Sequence, residues 1–248
     1  MDILDEDLGL GRLVYPYEIP YVSPTFTERA EQRARTWRRL REDGLADQNG
    51  AREDLAKLLK AWSAPRVLLT QVAEVLETDS RYLYRGGWLG DLGFLCSQRG
   101  ERLVIDRMRP EHVVPEMVAV LPDWRARLGG PVTVLVPKET GPAEPTPWVD
   151  EPADDPRMQA MRPVEHFFAA PMLRYGVIEC SVREPDTQVR RGKEVPVAAL
   201  NWFDTTEGRF FVATEDLPDG ARRHTFTPAD RSRIAQWLRE RLNRALGG

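Results

Sequence analysis

Residues 200–212 predict a β-hairpin with two apolar faces, and this stretch limits the folds open to the chain more than any other. Successive side chains of a strand point to opposite faces of a sheet. One predicted face carries Asn201, Phe203, Phe210 and Val212, and the other carries Leu200, Trp202, Asp204 and Phe211. Because a face in contact with water shows polar residues at alternate positions, both faces need a cover. That cover is either the protein's own helices or another protein.

The predicted turn of this hairpin is Asp204-Thr205-Thr206-Glu207-Gly208. Gly208 can adopt the positive φ that a bulged turn requires. We expect Asp204 to accept hydrogen bonds from the turn amides, as Asx residues often do. Turn stabilisation accounts for both Asp204 and Arg209, so neither residue is assigned to catalysis.

Charge and cysteine content narrow the class of protein. The 248 residues carry a net charge of −4 and no long run of Lys or Arg. A protein that binds nucleic acid needs such basic residues to neutralise the phosphates. Cys96 and Cys180 lie in separate apolar stretches, which predicts buried free thiols in a reducing compartment. Segment 1–7 is acidic where a signal peptide is basic, and no apolar run approaches the roughly 20 residues that span a bilayer. We therefore expect a cytoplasmic protein without a nucleic-acid partner and without membrane insertion.

Residues suited to catalysis are scattered along the chain. His112, His166 and His224 lie in three separate segments, none at metal-ligand spacing with a carboxylate or a cysteine. The motifs GxSxG, HExxH and GxGxxG and the phosphate loop do not occur. The sequence therefore predicts no catalytic residue, no metal and no cofactor, and favours a binding protein over an enzyme.

The first half predicts a lead-in segment, two helices and a group of strands. Prolines 16, 20 and 24 favour extended or turn conformations over residues 1–24. Thr25 and Glu28 match a capping box, which begins a helix that ends at Gly44. Its inward side is expected to carry Ala30, Ala34, Trp37 and Leu40. A helix at about 51–62, strands between 67 and 105 and a helix at about 111–121 follow, and Arg85-Gly86-Gly87 is expected to interrupt the strands as a loop.

The second half begins after a Pro-rich acidic stretch, 137–156, which we interpret as an exposed linker. Helical spacing returns over 157–170, with Pro163 expected to delay or kink the helix. A strand at 176–182, a charged loop at 183–194, the hairpin, a strand at 221–226 and a helix from Pro228 to about 245 complete the chain.

The two halves repeat one order of elements, which predicts an internal duplication. In each half a helix ends at a proline, Pro65 or Pro171, and a strand, a hairpin and a proline-initiated helix follow. We expect a single domain over 1–248 with pseudo-repeat halves at about 25–136 and 157–246. The predicted fold class is α+β: a central, mainly antiparallel β-sheet with two helical groups in a quasi-twofold arrangement.

Four blocks of the chain carry a family resemblance. They are Tyr15-Pro16-Tyr17-Glu18-Ile19-Pro20, the helix from Thr25 that ends in Asp43-Gly44-Leu45, the leucine-rich second helix, and Leu200-Asn201-Trp202-Phe203-Asp204-Thr205 with Gly208-Arg209-Phe210. Together they closely resemble the EspG family of ESX (type VII) secretion-associated proteins of actinobacteria. The resemblance covers nearly the whole chain and is weakest over 137–160. It implies an EspG-like fold and a cytosolic chaperone without catalytic activity.

The resemblance also implies the partner. Family members bind PE/PPE-type substrates, which are paired helical hairpins, near the tip of the PPE helices and keep them soluble for export; WXG-type hairpins are a related class. An exposed apolar tip favours aggregation, and helix-in-groove contact with a sheet face can cover it.

We hypothesise that the partner-binding surface combines the second face of the hairpin with the glycine-interrupted loop. Its residues are Trp202, Phe211, Tyr82, Tyr84, Trp88 and Leu89. The alternative is that Trp202 and Phe211 belong to the core beneath the carboxy-terminal helix. Two other functions remain open, a structural component of the secretion complex and a small-molecule enzyme with a site between the halves.

Overall fold

The computed structural model of the protein describes residues 1–11, 15–17, 23, 25–100, 102–138, 156–183 and 193–247. The described helices are α1 (Asp2–Leu8), α2 (Phe26–Glu42), α3 (Glu53–Ser63), α4 (Pro110–Ala119), α5 (Pro156–Met161) and α6 (Arg231–Leu246), with a 3-10 helix at Arg162–Phe168. The described strands are β1 (Ala46–Asp47), β2 (Gly50–Ala51), β3 (Val67–Val75), β4 (Ser80–Leu89), β5 (Leu92–Arg99), β6 (Arg102–Met108), β7 (Val132–Val136), β8 (Met172–Arg183), β9 (Glu194–Thr205), β10 (Gly208–Asp216) and β11 (Arg222–Pro228).

Nine of these strands form one sheet in the order β6-β5-β4-β3-β8-β9-β10-β11-β7. The pairs β4–β5, β5–β6, β9–β10, β10–β11 and β11–β7 are antiparallel. The predicted α+β class with a large antiparallel sheet is therefore confirmed. The internal duplication stays a prediction.

The chain divides into two compact units. Unit 1 consists of Met1–Gln71, Tyr82–Met117 and Cys180–Val197, and unit 2 of Val72–Arg81, Val118–Glu179 and Ala198–Gly248. The single domain with halves at 25–136 and 157–246 remains a prediction. The predicted linker at 137–156 and the charged loop at 183–194 lie almost entirely outside the described residues.

Helix α1 changes which side of α2 is buried in unit 1. The expected extended lead-in is wrong for residues 2–8, which form this helix. It brings Asp2 and Glu6 against Arg29, whose Nη2 donates to Glu6 Oε2 at 2.6 Å. Arg29 is consequently buried, and Ala30 and Ala34 are exposed, contrary to expectation. Helical spacing could not reveal this, because the arginine side of α2 turns inward only when an acidic helix lies beside it.

The rest of α2 follows the sequence prediction. Thr25 and Glu28 form the capping box, with the Glu28 amide donating to Thr25 Oγ1 at 3.2 Å. Trp37 and Leu40 pack against a buried cluster that contains Leu4, Leu10 and Leu59. A second buried cluster in unit 1 contains Tyr17, Ala61, Trp62, Phe94 and Cys96.

The loop predicted at Arg85-Gly86-Gly87 is wrong, because these residues continue β4 and pair with β5. A Cβ on Gly86 would lie 2.9 Å from Met117 Cε, and one on Gly87 would lie 2.4 Å from the Val67 carbonyl oxygen. Glycine within a strand commonly marks such a close approach. The two glycines therefore let neighbouring elements pack onto both faces of an unbroken strand.

The core of unit 2 surrounds β10. On one face, Phe210 packs against Phe167 of the 3-10 helix, with ring centroids 5.0 Å apart. On the other face, Phe211 contacts Trp237 of α6, with centroids 5.5 Å apart. Strand β7, at residues where the sequence pattern predicts no element, pairs with β11 at the edge of the sheet. The protein's own helices thus supply the cover that β10 needs on both faces.

We predict that Gly87→Ala destabilises the protein and that Gly130→Ala does not. The new Cβ at residue 87 would lie 2.4 Å from a backbone oxygen, whereas the space around Gly130 is open. Overpacking of this kind costs about 1–3 kcal/mol, and a surface change typically shifts stability by less than about 0.5 kcal/mol. Urea unfolding of both variants measures the difference, and equal midpoints would show that β4 is not packed as described.

Candidate partner-binding surface

The hairpin turn is tighter than the sequence predicts. Thr205 pairs directly with Gly208, so only Thr206 and Glu207 connect the strands. Thr205 Oγ1 donates to the Gly208 carbonyl oxygen at 3.0 Å and accepts from the Glu207 amide at 3.3 Å. Gly208 has the predicted positive φ, 131°. A Cβ there would lie 2.7 Å from the Arg127 backbone, so this glycine also permits the approach of residues 126–127.

Asp204 does not cap the turn amides; it forms a buried ion pair with Arg209. Arg209 Nε donates to Asp204 Oδ1 at 2.6 Å, and Nη2 donates to Oδ2 at 2.8 Å. Nη2 also donates to the Pro122 carbonyl oxygen at 2.8 Å. Both side chains are 0% exposed. Because neither side chain reaches solvent, we assign the pair a structural role in unit 2.

Trp202 and Phe211, two of the predicted partner-binding residues, are each 1% exposed. The guanidinium of Arg209 lies 5.4 Å from the centroid of the Trp202 ring, and Trp237 of α6 covers Phe211. In this structure these two side chains form core, which was the alternative left open above, and they offer no surface to a partner.

The first face of the hairpin is covered only in part. Phe210 and Phe226 are buried with Phe167. Phe203, the neighbour of Phe210 across the strands, is only half-buried, and Asn201 is exposed. Phe168, the last residue of the 3-10 helix, lies beside Phe203. Their rings are nearly perpendicular, with centroids 5.3 Å apart. The 3-10 helix therefore ends where an uncovered part of the face begins.

We call this uncovered part of unit 2 the open face. A Cβ on Gly176 would lie 2.9 Å from both Ala73 Cβ and Trp202 Nε1, so these three residues share the buried face of the sheet. The residues that alternate with them along β3, β8 and β9 point to the opposite face. The open face consists of Val72, Glu74, Leu76, Tyr175, Val177, Glu179, Ala199, Asn201 and Phe203, with Phe168 at its margin. Leu76 is 52% exposed and Tyr175 is 37% exposed.

The alternation of residues along β8 separates its two sides but does not identify the open face. In β8 the exposed Tyr175 and Glu179 alternate with the buried Gly176, Ile178 and Cys180. The prediction of a strand at 176–182 was correct, but both sides of it carry apolar residues. Periodicity alone therefore does not tell which side is covered.

The other four predicted residues lie on β4 in unit 1. Tyr82 and Leu89 are exposed, and Tyr84 and Trp88 are half-buried. The partial burial of Tyr84 raises its pKa. The buried residues Arg85, Gly86 and Gly87 separate Tyr82 and Tyr84 from Trp88 and Leu89 along this continuous strand.

Metal-binding clusters and surface depressions are the remaining candidate sites in the described part of the chain. No group of three or more His, Cys, Asp or Glu residues within it could hold a metal ion. A wide depression of about 720 Å³ is lined by Asp123, Trp124, Arg125, Ala126, Thr206 and Asp230. Of its two carboxylates, Asp230 caps α6 by accepting from the Arg233 amide at 2.9 Å. No helix in the described ranges is long and apolar enough to cross a membrane.

Comparisons with known proteins identify a family and a shared fold. The model of the EspG family matches residues 1–240. The chain is similar to the solved structure of the Mycobacterium tuberculosis type VII secretion system chaperone EspG5 in complex with the PE25-PPE41 dimer. The two chains are 14% identical with a TM-score of 0.62, over 97% of this chain and 92% of that chain. At this identity the likeness shows the fold. No curated protein matches the chain.

We predict that Asp204→Asn lowers the free energy of unfolding by about 3–5 kcal/mol, because it leaves the guanidinium of Arg209 buried and unpaired. Asp123→Asn, at an exposed position of the same unit, serves as the control. Removing both charges with Asp204→Leu and Arg209→Met should cost less than the sum of the single changes. Chemical denaturation measures Asp204→Asn, the control, the single variants Asp204→Leu and Arg209→Met, and their double variant. Additive losses would show that the pair contributes no coupling.

Trp202→Ala should also destabilise the protein by about 3–5 kcal/mol, since it removes a large buried ring. Tyr82→Ala, at an exposed position of β4, should cost less than about 1 kcal/mol. Thermal and urea unfolding compare the two variants. A Trp202→Ala protein with unchanged stability would contradict the core position of this residue.

Proposed function

This chain belongs to the EspG family, and on that premise we propose that it is a cytosolic chaperone of type VII secretion. It binds PE/PPE-type substrate pairs near the tip of their helices and keeps them soluble for export. It performs no chemical reaction. The observation that carries the proposal is the open face of unit 2, where apolar side chains of the sheet, Leu76 and Tyr175 among them, lie exposed.

The open face has the composition of a recognition surface. Leu76, Tyr175 and Phe168 are exposed, and Val177 and Phe203 are half-buried beside them. Contiguous exposed apolar area of this kind marks protein interaction sites, and aromatic residues are enriched among those that dominate binding energy. An apolar helical tip that docks there would remove both surfaces from water, which both favours binding and prevents aggregation.

The buried side of the hairpin supports this surface from behind. Trp202 and Phe211 point away from the open face and lie in the core, so that β9 has little freedom to move. A rigid platform loses little conformational entropy when a partner binds. These two residues therefore act as support, and the contacts come from their neighbours Asn201 and Phe203.

Tyr82, Tyr84, Trp88 and Leu89 remain proposed contacts of unit 1. Tyr82 and Leu89 offer exposed apolar area at the ends of β4. WXG-type hairpins are a further substrate class that the same chemistry can accommodate, because they too are paired helices.

Co-expression tests the proposal. The chain is produced with each PE/PPE-type pair that neighbouring genes encode, and each mixture is separated by size-exclusion chromatography. We expect a soluble ternary complex, and we expect the pair to precipitate when produced alone. Failure of every neighbouring pair to bind a well-folded chain would overturn the proposed function.

Single substitutions then locate the surface. Leu76→Ser and Tyr175→Ser, on the open face, should each weaken the complex by about tenfold or more without changing the melting temperature. Leu135→Ser is the matched control, because Leu135 is equally exposed in unit 2 but lies on β7, outside the open face. Leu89→Ser, for which binding and melting temperature are measured in the same way, tests whether β4 contributes to the contact. Loss of binding in Leu89→Ser alone would place the contact on β4 instead of on the open face.

A further inference from the structure

Glu74 places a carboxylate beside the apolar side chains of the open face. Glu74 is half-buried on β3, and the hydroxyl of Tyr175 donates a hydrogen bond to its Oε2. This hydrogen bond, together with removal from water and the negative charge of Glu74, raises the pKa of Tyr175. The hydroxyl therefore stays protonated and holds the carboxylate in position.

Within the described residues, no Lys or Arg forms an ion pair with Glu74. The nearby Glu77 differs, since Arg174 Nη2 lies 2.9 Å from its Oε2. Arg174 also approaches Asp204 Oδ2 at 3.5 Å, which places it on the opposite side of β8 from Tyr175. The guanidinium of Arg174, on the neighbouring residue of β8, is thus engaged by Glu77 and Asp204 and points away from the open face.

The open face as a whole contains no basic residue. The members defined above include two glutamates and otherwise only apolar, aromatic or amide side chains. A half-buried carboxylate loses part of its hydration, and a cation placed beside it compensates for more of that loss than one neutral hydrogen bond does. The ring of Tyr175 beside it would add a cation–π contact.

We infer that the partner segment that docks on the open face carries a lysine or arginine next to its apolar contacts, and that Glu74, positioned by Tyr175, selects this cation. The inference rests on the proposed function and adds the charge that the substrate must present. Apolar contact with Leu76 and Tyr175 provides affinity, whereas the charge pair distinguishes substrates whose tips are equally apolar.

Binding kinetics test this inference. The PE/PPE-type pair encoded beside the gene is immobilised, and association and dissociation of the chain are measured at 50 mM and 500 mM NaCl. We expect Glu74→Gln to slow association several-fold at low salt and to reduce its salt dependence, and Glu74→Lys to weaken affinity by about tenfold or more. Glu240→Gln makes the same change in net charge at an exposed position on α6 and should bind as the wild type does.

A charge swap identifies the cation. Single Lys→Glu and Arg→Glu variants of the pair are tested against the Glu74→Lys chain, and one of them should restore binding while it weakens binding to the wild type. A wild-type complex that forms normally and is unaffected by Glu74→Gln and Glu74→Lys overturns this inference alone. Absence of any complex with the wild-type chain overturns the proposed function and this inference together.

Discussion

The buried ion pair between Asp204 and Arg209 is the interaction on which unit 2 depends. The Arg209 side chain also bonds to the Pro122 carbonyl oxygen. The Arg209 backbone donates to Arg125 at 2.7 Å and accepts from Arg127 and Ala229 at 2.9 and 3.1 Å. One residue therefore joins the hairpin, the segment 122–127 and the start of α6. Because both charges are fully buried, the pair is favourable only while this geometry is kept.

That arrangement makes the two faces of the hairpin unequal. Helix α6 begins next to Arg209 and covers Phe211 with Trp237, so the Trp202 side becomes core. The 3-10 helix covers Phe210 and Phe226 on the other side and ends at Phe168, whereas Leu76 and Tyr175 are exposed on the same side of the sheet. The proposed chaperone surface is thus a part of this side that the described helices of unit 2 leave accessible to solvent. Glu74 lies in that part and gives it a charge preference.

Local patterns predicted the elements of this fold well where neighbouring residues decide the structure. The alternation that separates Trp202 and Phe211 from Phe203 and Phe210 is confirmed by the strand register, and the capping box at Thr25 is confirmed by its hydrogen bonds. Patterns were wrong where distant residues decide. Gly86 and Gly87 predict a loop by local pattern, yet both lie within β4. The Met117 side chain packs closely on Gly86, and the Val67 backbone packs closely on Gly87. Asp204 is predicted to bond to the turn amides, yet it pairs with the Arg209 side chain, which the distant Pro122 carbonyl oxygen also holds.

The sequence by itself determined the hairpin, its two apolar faces, the helices on either side and the resemblance to the EspG family, since these depend on residue order and short-range geometry. Only the tertiary structure decided that Trp202 and Phe211 are core and that Tyr175, Leu76 and Glu74 are accessible. The reason is physical: alternation records which residues share a face of a strand, but a face is buried only when a distant helix packs on it. The placement of α6 and of the 3-10 helix depends on contacts across many residues, which periodicity does not encode.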